Sequence, residues 1–276
     1  MQDRIYLLSI EDFPGTEKER GGGVESCESL LAEAFDKVDC ERRKKADHIK
    51  SVRPRAACLG AGLLMQYAMR EAMYTGEHTE SWRQETALAE KNGIAAGLTE
   101  KGVGSFGKTQ EVKSVCDLMC FTFPELLGRL NVPLALQYRY GANGKPYLQG
   151  DPFYFNLSHS GNYVICAVST REIGADIQQH GAGGMERLAQ RFFSADEVSA
   201  LQACGEEREA LFYRLWTRKE AYGKLTGRGI AGALEVNLLP GTEETPEGRK
   251  LVWREYGEIK GYSMAICQFL YSERDM

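Results

Sequence analysis

No stretch of the 276-residue sequence approaches the roughly 18 consecutive apolar residues of a membrane-spanning helix. The opening MQDRIYLLSIEDFPG is apolar only briefly and carries Asp3, Arg4, Glu11 and Asp12. It therefore does not read as a secretory leader, and Ile5 to Ile10 reads as a first strand. An excess of positive charge is also missing. Lys+Arg 34 against Asp+Glu 39 leave a net charge of -5, which argues against a broad nucleic-acid surface but leaves room for a local basic pocket for a phosphorylated small molecule. The eight cysteines form no CxxC pair and are scattered through helical and strand patterns, as expected of reduced thiols in a cytoplasmic protein. Cys116 and Cys120 lie four apart but lack a second ligand pair, so no metal site is assigned to them. No internal repeat is visible.

What is present is an ordinary globular composition, 43% hydrophobic and 26% charged, in a chain long enough to build a core without disulfides or structural metals. Leu30 to Val38 is a short amphipathic segment. A basic stretch runs from Glu41-Arg42-Arg43-Lys44-Lys45 through Lys50, Arg53 and Arg55. Ala56 to Met73 predicts a buried helix. Thr75 to Ser114 is polar and glycine-punctuated without a sustained period, and reads as an insertion or loop. Leu134 to Tyr140 predicts a strand, Phe153 to Asn156 a short one, and Ser158 to Asn162 a turn cluster. Tyr163 to Val168 is a near-continuous apolar strand, and four polar residues lead from it to Ile173–Gln178, the pattern of a hairpin. Ser194-Ala195-Asp196-Glu197 has capping-box spacing. Glu206 to Thr226 predicts a long helix with Gly227 as its C-terminal cap, and Leu251–Trp253 and Ser263–Leu270 predict closing strands. Mixed elements with short strand-to-strand links favour an α+β fold.

Two motifs could carry chemistry together. In Ile173-Gly174-Ala175-Asp176-Ile177-Gln178, Asp176 and Gln178 share one face of a strand. In Trp216-Thr217-Arg218-Lys219-Glu220-Ala221-Tyr222-Gly223-Lys224, Trp216, Glu220 and Lys224 share one stripe of a helix. Asp176 with Glu220 would give two carboxylates for a hard cation such as Mg²⁺, whose remaining positions are filled by waters and substrate phosphates. Lys224, one turn on, would be free for a phosphate. The plainer reading is a Glu220–Lys224 helical ion pair and an aspartate ending a hairpin strand. Phe155-Asn156-Leu157-Ser158-His159-Ser160 places a histidine between two hydroxyls at a strand end, and Gly144-Lys145-Pro146 offers a fixed turn with one cation.

In the order GKP, FNLSHS, GADIQ and WTRKEAYGK, these motifs resemble the surfactin-synthetase-activating class of 4′-phosphopantetheinyl transferases, over Gly144 to Gly227. The resemblance implies an α+β pseudo-dimer of two similar halves with coenzyme A in the cleft between them. Here these would be 1–150, with the basic stretch and the 75–114 insertion, and 151–276, with the metal motifs. It implies a cytoplasmic, monomeric, Mg²⁺-dependent enzyme that moves 4′-phosphopantetheine from coenzyme A to a serine of an apo acyl or peptidyl carrier protein, releasing 3′,5′-ADP. No nucleic acid or membrane partner is implied. Carried over residue by residue, Asp176, Glu220 and Gln178 would hold Mg²⁺, Lys224 would neutralise the pyrophosphate, and Glu220 would serve as general base, directly or through water. Ser158 and His159 would contact the 3′-phosphate, Lys145 and Pro146 would line the nucleotide, and basic residues including Lys45 and Arg53 would complete the phosphate pocket.

Gln178 departs from the family pattern, which often has Glu there, and removes one negative charge from the metal site. Two other readings compete. Gly102-Val103-Gly104-Ser105-Phe106-Gly107-Lys108-Thr109 satisfies the phosphate-loop pattern, but the residues before it form no buried strand to deliver it. A carrier-binding module without activity would be expected to lose Asp176, Glu220 or Lys224, and all three are present.

Overall fold

The computed structural model describes residues 3–13, 24–74, 118–150 and 153–270, save 182, 235, 243 and 258. The Thr75–Ser114 insertion, Cys116 and the 102–109 loop motif lie outside the described residues.

The strands are β1 (Arg4–Ser9), β2 (Leu118–Thr122), β3 (Tyr138–Tyr140), β4 (Pro146–Leu148), β5 (Tyr154–Ser160), β6 (Tyr163–Ser169), β7 (Gly174–Gln179), β8 (Leu251–Tyr256) and β9 (Tyr262–Phe269). The helices are α1 (Val24–Lys37), α2 (Cys40–Asp47), α3 (Val52–Tyr74), α4 (Phe123–Gly128), α5 (Met185–Phe192), α6 (Ala195–Ala203) and α7 (Arg208–Thr226). They form a mixed α+β fold with a four-stranded sheet β2-β1-β6-β5, a three-stranded sheet β7-β9-β8 and the ribbon β3-β4. All pairings are antiparallel except β1 with β2. Among the described residues no helix is long and apolar enough to cross a membrane.

Strand alternation explains the layers. Tyr6, Leu8, Val164, Cys166 and Val168 share a core with α3, whereas Ile5, Leu7, Ile165 and Ala167 pack against Ile173, Ala175, Ile177, Met264 and Ile266 of the second sheet. β1 and β6 are thus buried on both faces, as the apolar run in β6 predicts. On the far side of the second sheet Ala221, Tyr222 and Leu225 of α7 pack with Ala265, Cys267 and Phe269. Each fully buried large apolar side chain here contributes about 1.5–3 kcal/mol.

Several expectations hold. Ser194 and Glu197 form the capping box that starts α6, and Gly227 ends α7 in the left-handed region at φ 68°. Others are corrected. β7 does not form a hairpin with β6, because both edges of β6 are taken by β1 and β5, and β7 pairs with β9 in the other sheet. The Ser158–Asn162 turn cluster is strand as far as Ser160. The strand predicted from Leu134 forms only at Tyr138–Tyr140, since the buried Gln66 side chain engages the backbone of Leu134 through Leu134 N–H (2.6 Å) and Leu134 C=O (3.1 Å).

Candidate active site

Gly174, Asp176 and Gln178 occupy the face of β7 that meets α7. A Cβ at Gly174 would overlap the Ala221 carbonyl oxygen and lie 2.6 Å from Leu225 N, so only glycine lets the strand approach this closely. Two residues on, Asp176 is buried at 5% exposure. Lys224 Nζ donates to its Oδ1 at 2.7 Å, and the Ser158 hydroxyl donates to the same atom at 2.7 Å. Lys224 also donates to Ser158 Oγ at 2.8 Å, closing a triangle. Asp176 Oδ2 is buried and has no hydrogen-bond partner among the described residues. A buried carboxylate oxygen left open is costly unless something cationic completes it.

Glu220 sits one turn before Lys224 on α7. Burial and the charge of Asp176 push its carboxyl above the ordinary carboxylate range, and Lys224 opposes them. The helical Glu220–Lys224 pair of the plainer reading is not what forms: Lys224 bonds Asp176. Gln178 is half-buried, and its amide N–H donates to Gln179 O at 3.1 Å. Among the described residues no group of three or more His, Cys, Asp or Glu side chains is assembled; the carboxylates at hand are Asp176 and Glu220, with Gln178 on the same face of β7 as Asp176. That set, with the open Oδ2, fits a hard cation that keeps waters and substrate oxygens.

His159 faces the opposite side of β5 from Ser158. It is exposed, and partial desolvation, then the positive charges of Lys224 and Arg42, hold its imidazole below the usual histidine range, with Asp176 opposing. Arg42 lies on α2, whose N-cap Asp39 accepts from Glu41 N–H (3.1 Å) and Arg42 N–H (3.0 Å) and from the Tyr138 hydroxyl (3.2 Å). This fixes α2 against the β3-β4 ribbon, and Arg42, Lys45, Tyr140, Pro146 and Phe155 line the small cavity between them. Lys45 reaches the Tyr140 hydroxyl at 3.5 Å.

Two of the basic residues expected at the nucleotide are engaged within the protein. Lys145 donates to Glu172 at 2.5 Å and to Leu225 O at 2.9 Å, and Asn143 donates to Gly227 O at 2.9 Å. The Gly144-Lys145-Pro146 turn, with Gly144 at φ 81°, therefore caps the carbonyl end of α7 with a cation, where the helix dipole favours one. Arg53 donates to Phe13 O (2.8 Å) and Asn162 Oδ1 (2.9 Å), holding the β5–β6 turn. The structure brings Asp176, Glu220, Lys224, Ser158 and His159 together, and sets Lys45 of α2 and Pro146 of β4 at one small cavity. Arg42 was missed by the sequence reading, although it shares a helical face with Lys45 at i, i+3. Lys219 was missed as well. It is fully buried and donates to Glu197 at 2.8 Å and to Ala233 O and Val236 O at 2.7 Å each, fixing α7 to α6 and to the 233–236 segment.

Sequence comparison shows what part of the chain is similar to. Residues 172–267 match the family profile of the 4′-phosphopantetheinyl transferase superfamily, a stretch that holds the GADIQ and WTRKEAYGK motifs with Asp176, Glu220 and Lys224 but not the GKP and FNLSHS motifs. Among particular relatives, a putative 4′-phosphopantetheinyl transferase of Synechocystis sp. is 46% identical over 156 residues, covering 49% of this chain and 63% of the relative. A 4′-phosphopantetheinyl transferase of Bacillus subtilis is 35% identical over 49% of this chain and 64% of its own length. One of Bacillus pumilus is 40% identical over 45% of this chain and 57% of its own length. The chain thus spans less than two thirds of each of these relatives.

Proposed function

We propose that the protein transfers 4′-phosphopantetheine from coenzyme A to a serine of an apo acyl or peptidyl carrier protein and releases 3′,5′-ADP. The observation that carries this is the buried Asp176 carboxylate, with Oδ2 open and Oδ1 held by Lys224, beside Glu220 on a helix matching that superfamily. Asp176 and Glu220, with Gln178 or a water held by it, would bind Mg²⁺, which when bound neutralises charge on the pyrophosphate. Lys224 would leave Asp176 for a pyrophosphate oxygen as the P–O bond breaks, the stage at which negative charge accumulates. The raised carboxyl of Glu220 suits a group that takes the proton of the attacking serine. His159, Arg42 and Lys45 would meet the 3′-phosphate. Pro146 and the turn fixed by Lys145 would line the nucleotide, and Arg53 would hold the β5–β6 turn behind them.

The same reading takes the chain as a pseudo-dimer. What supports it is a shared order: strand, long helix and antiparallel hairpin in both β1–α3–β5–β6 and β7–α7–β8–β9, with each first strand antiparallel to the last. The seam between halves would then lie at 170–173, later than the division at 150 expected with the resemblance. A monomer in a reducing, cytoplasmic setting is consistent with seven described cysteines, all free. The test is intact-mass spectrometry of a panel of apo-carriers incubated with coenzyme A, Mg²⁺ and this protein. A mass gain of one phosphopantetheine on a carrier is the expected result. No gain on any carrier, with hydrolysis of ATP instead, would favour the phosphate-loop reading of 102–109. Carrier binding without any mass gain would favour a binding module.

A further inference from the structure

β5 ends the first sheet and β7 ends the second, and the two edges lie side by side without pairing backbone to backbone. Every second N–H of β7 nevertheless has a partner. Ala175 N–H donates to Asn156 Oδ1 at 3.1 Å, Ile177 N–H to Ser158 Oγ at 3.5 Å, and Gln179 N–H to Ser160 Oγ at 3.0 Å. Three alternate side chains of one motif stand in for a missing strand along the edge that carries Asp176 and Gln178. Buried backbone N–H groups must be satisfied, so this ladder fixes both the register and the distance of β7. Ser158 does more. A hydroxyl has one proton, and here it goes to Asp176 Oδ1, while the Oγ lone pairs accept from Lys224 and Ile177. At 8% exposure Ser158 has no further proton to offer a phosphate.

We infer that Asn156, Ser158 and Ser160 are positioning residues for the cation site, and that Ser158 acts by orienting Asp176 so that Oδ2 is left for the metal. This rests on the transferase reading but concerns a different atom of it. The His159 imidazole, on the other face of β5, keeps the 3′-phosphate contact, so two adjacent residues of one motif serve different ends of the ligand.

The experiment uses the full chain and Mn²⁺ alone, titrated by electron paramagnetic resonance. Residues that orient a metal ligand typically cost 10–100-fold in affinity when removed, so Ser158→Ala should weaken Mn²⁺ binding about ten-fold while far-ultraviolet circular dichroism stays unchanged. In steady-state kinetics it should raise the Mg²⁺ concentration for half-maximal rate, and should penalise coenzyme A and dephospho-coenzyme A equally. Unchanged Mn²⁺ affinity overturns the inference, as does a KM penalty confined to coenzyme A, which would make Ser158 a phosphate contact. A wild-type chain that takes up no Mn²⁺ in the millimolar range overturns it too. Should Ser158→Ala not fold, Ser160→Ala at the more exposed end of the ladder replaces it, with a loss of at least about two-fold expected and no loss counting against the ladder. Absence of transfer to every carrier would strike the proposed function and leave the Mn²⁺ comparison standing.

Discussion

Gly174→Ala probes the close approach of β7 to α7. The φ of Gly174 is one that any residue adopts, so the added methyl acts through space alone. It would overlap the Ala221 carbonyl oxygen and lie 2.6 Å from Leu225 N and 2.9 Å from Leu225 Cβ, where ordinary contact begins at 3.4 Å. Two of these obstacles are helix backbone, which cannot swing aside as a side chain can. Relief requires α7 to move off β7 by about 1 Å, at a cost of roughly 2–3 kcal/mol. Against a total stability of about 5–15 kcal/mol the variant still folds at room temperature, with Tm lowered by roughly 5–10 °C. Function should suffer more than stability, because Glu220 and Lys224 ride on the displaced helix while Asp176 stays on the strand. A misplacement near 1 Å can cost about a hundred-fold in rate. The assay pairs a thermal melt with the rate of transfer to a carrier. Gly128→Ala, whose Cβ would meet nothing within 4 Å, is the control and should be neutral or slightly stabilising. A Gly174→Ala protein melting within about 2 °C of wild type and transferring at more than half its rate would refute the packing argument.

Other expectations follow from the same packing and charges. Glu197→Gln leaves the Lys219 ammonium buried without its counter-charge and should cost about 3–5 kcal/mol in urea denaturation; pairing it with Lys219→Met should recover part of that loss, and a single-variant cost below about 1 kcal/mol would show the pair to be dispensable. Glu220 binds its proton more tightly folded than unfolded, so the metal-free protein loses stability as pH rises from the ordinary carboxylate range through the raised folded value. Glu220→Gln should remove that decline and be the more stable protein at neutral pH but not near pH ~4, below which both states hold the proton; parallel stability curves for the two proteins would contradict the assignment. Truncating His159 should chiefly raise KM for coenzyme A, with a smaller penalty on dephospho-coenzyme A, whereas truncating Lys224 should chiefly lower kcat on both.

Much of this arrangement was legible in the residues, and the losses have physical causes. The α7 stripe, its Gly227 cap and the Ser194 capping box follow from local spacing, and they stand as read. Ser158 and Ser160 were misread as turn because polar residues usually mark one. They are strand because the seam they face offers bare N–H groups of β7, a tertiary fact with no local signal. The hairpin expected between β6 and β7 failed for a similar reason: only the fold shows that both edges of β6 are occupied. Lys145 looked like a free cation, and its capture by Glu172 and the end of α7 depends on contacts 27 and 80 residues away. Arg42 was hidden in a run of four basic residues, and only the docking of α2 on the ribbon separates it from Arg43, which turns back to Val38 O and Asp36 O.

The central claim is that Asp176 and Glu220 make this chain a metal-dependent transferase, and intact-mass spectrometry of one responsive apo-carrier tests it most directly. Wild type with coenzyme A and Mg²⁺ should add one phosphopantetheine to the carrier with matching release of 3′,5′-ADP, and should stop on chelation. Asp176→Ala and Glu220→Ala, folded by circular dichroism, should each fall below about a tenth of the wild-type kcat, a barrier increase of at least ~1.4 kcal/mol. Transfer that persists above that level in either variant, or that ignores the chelator, would contradict the account.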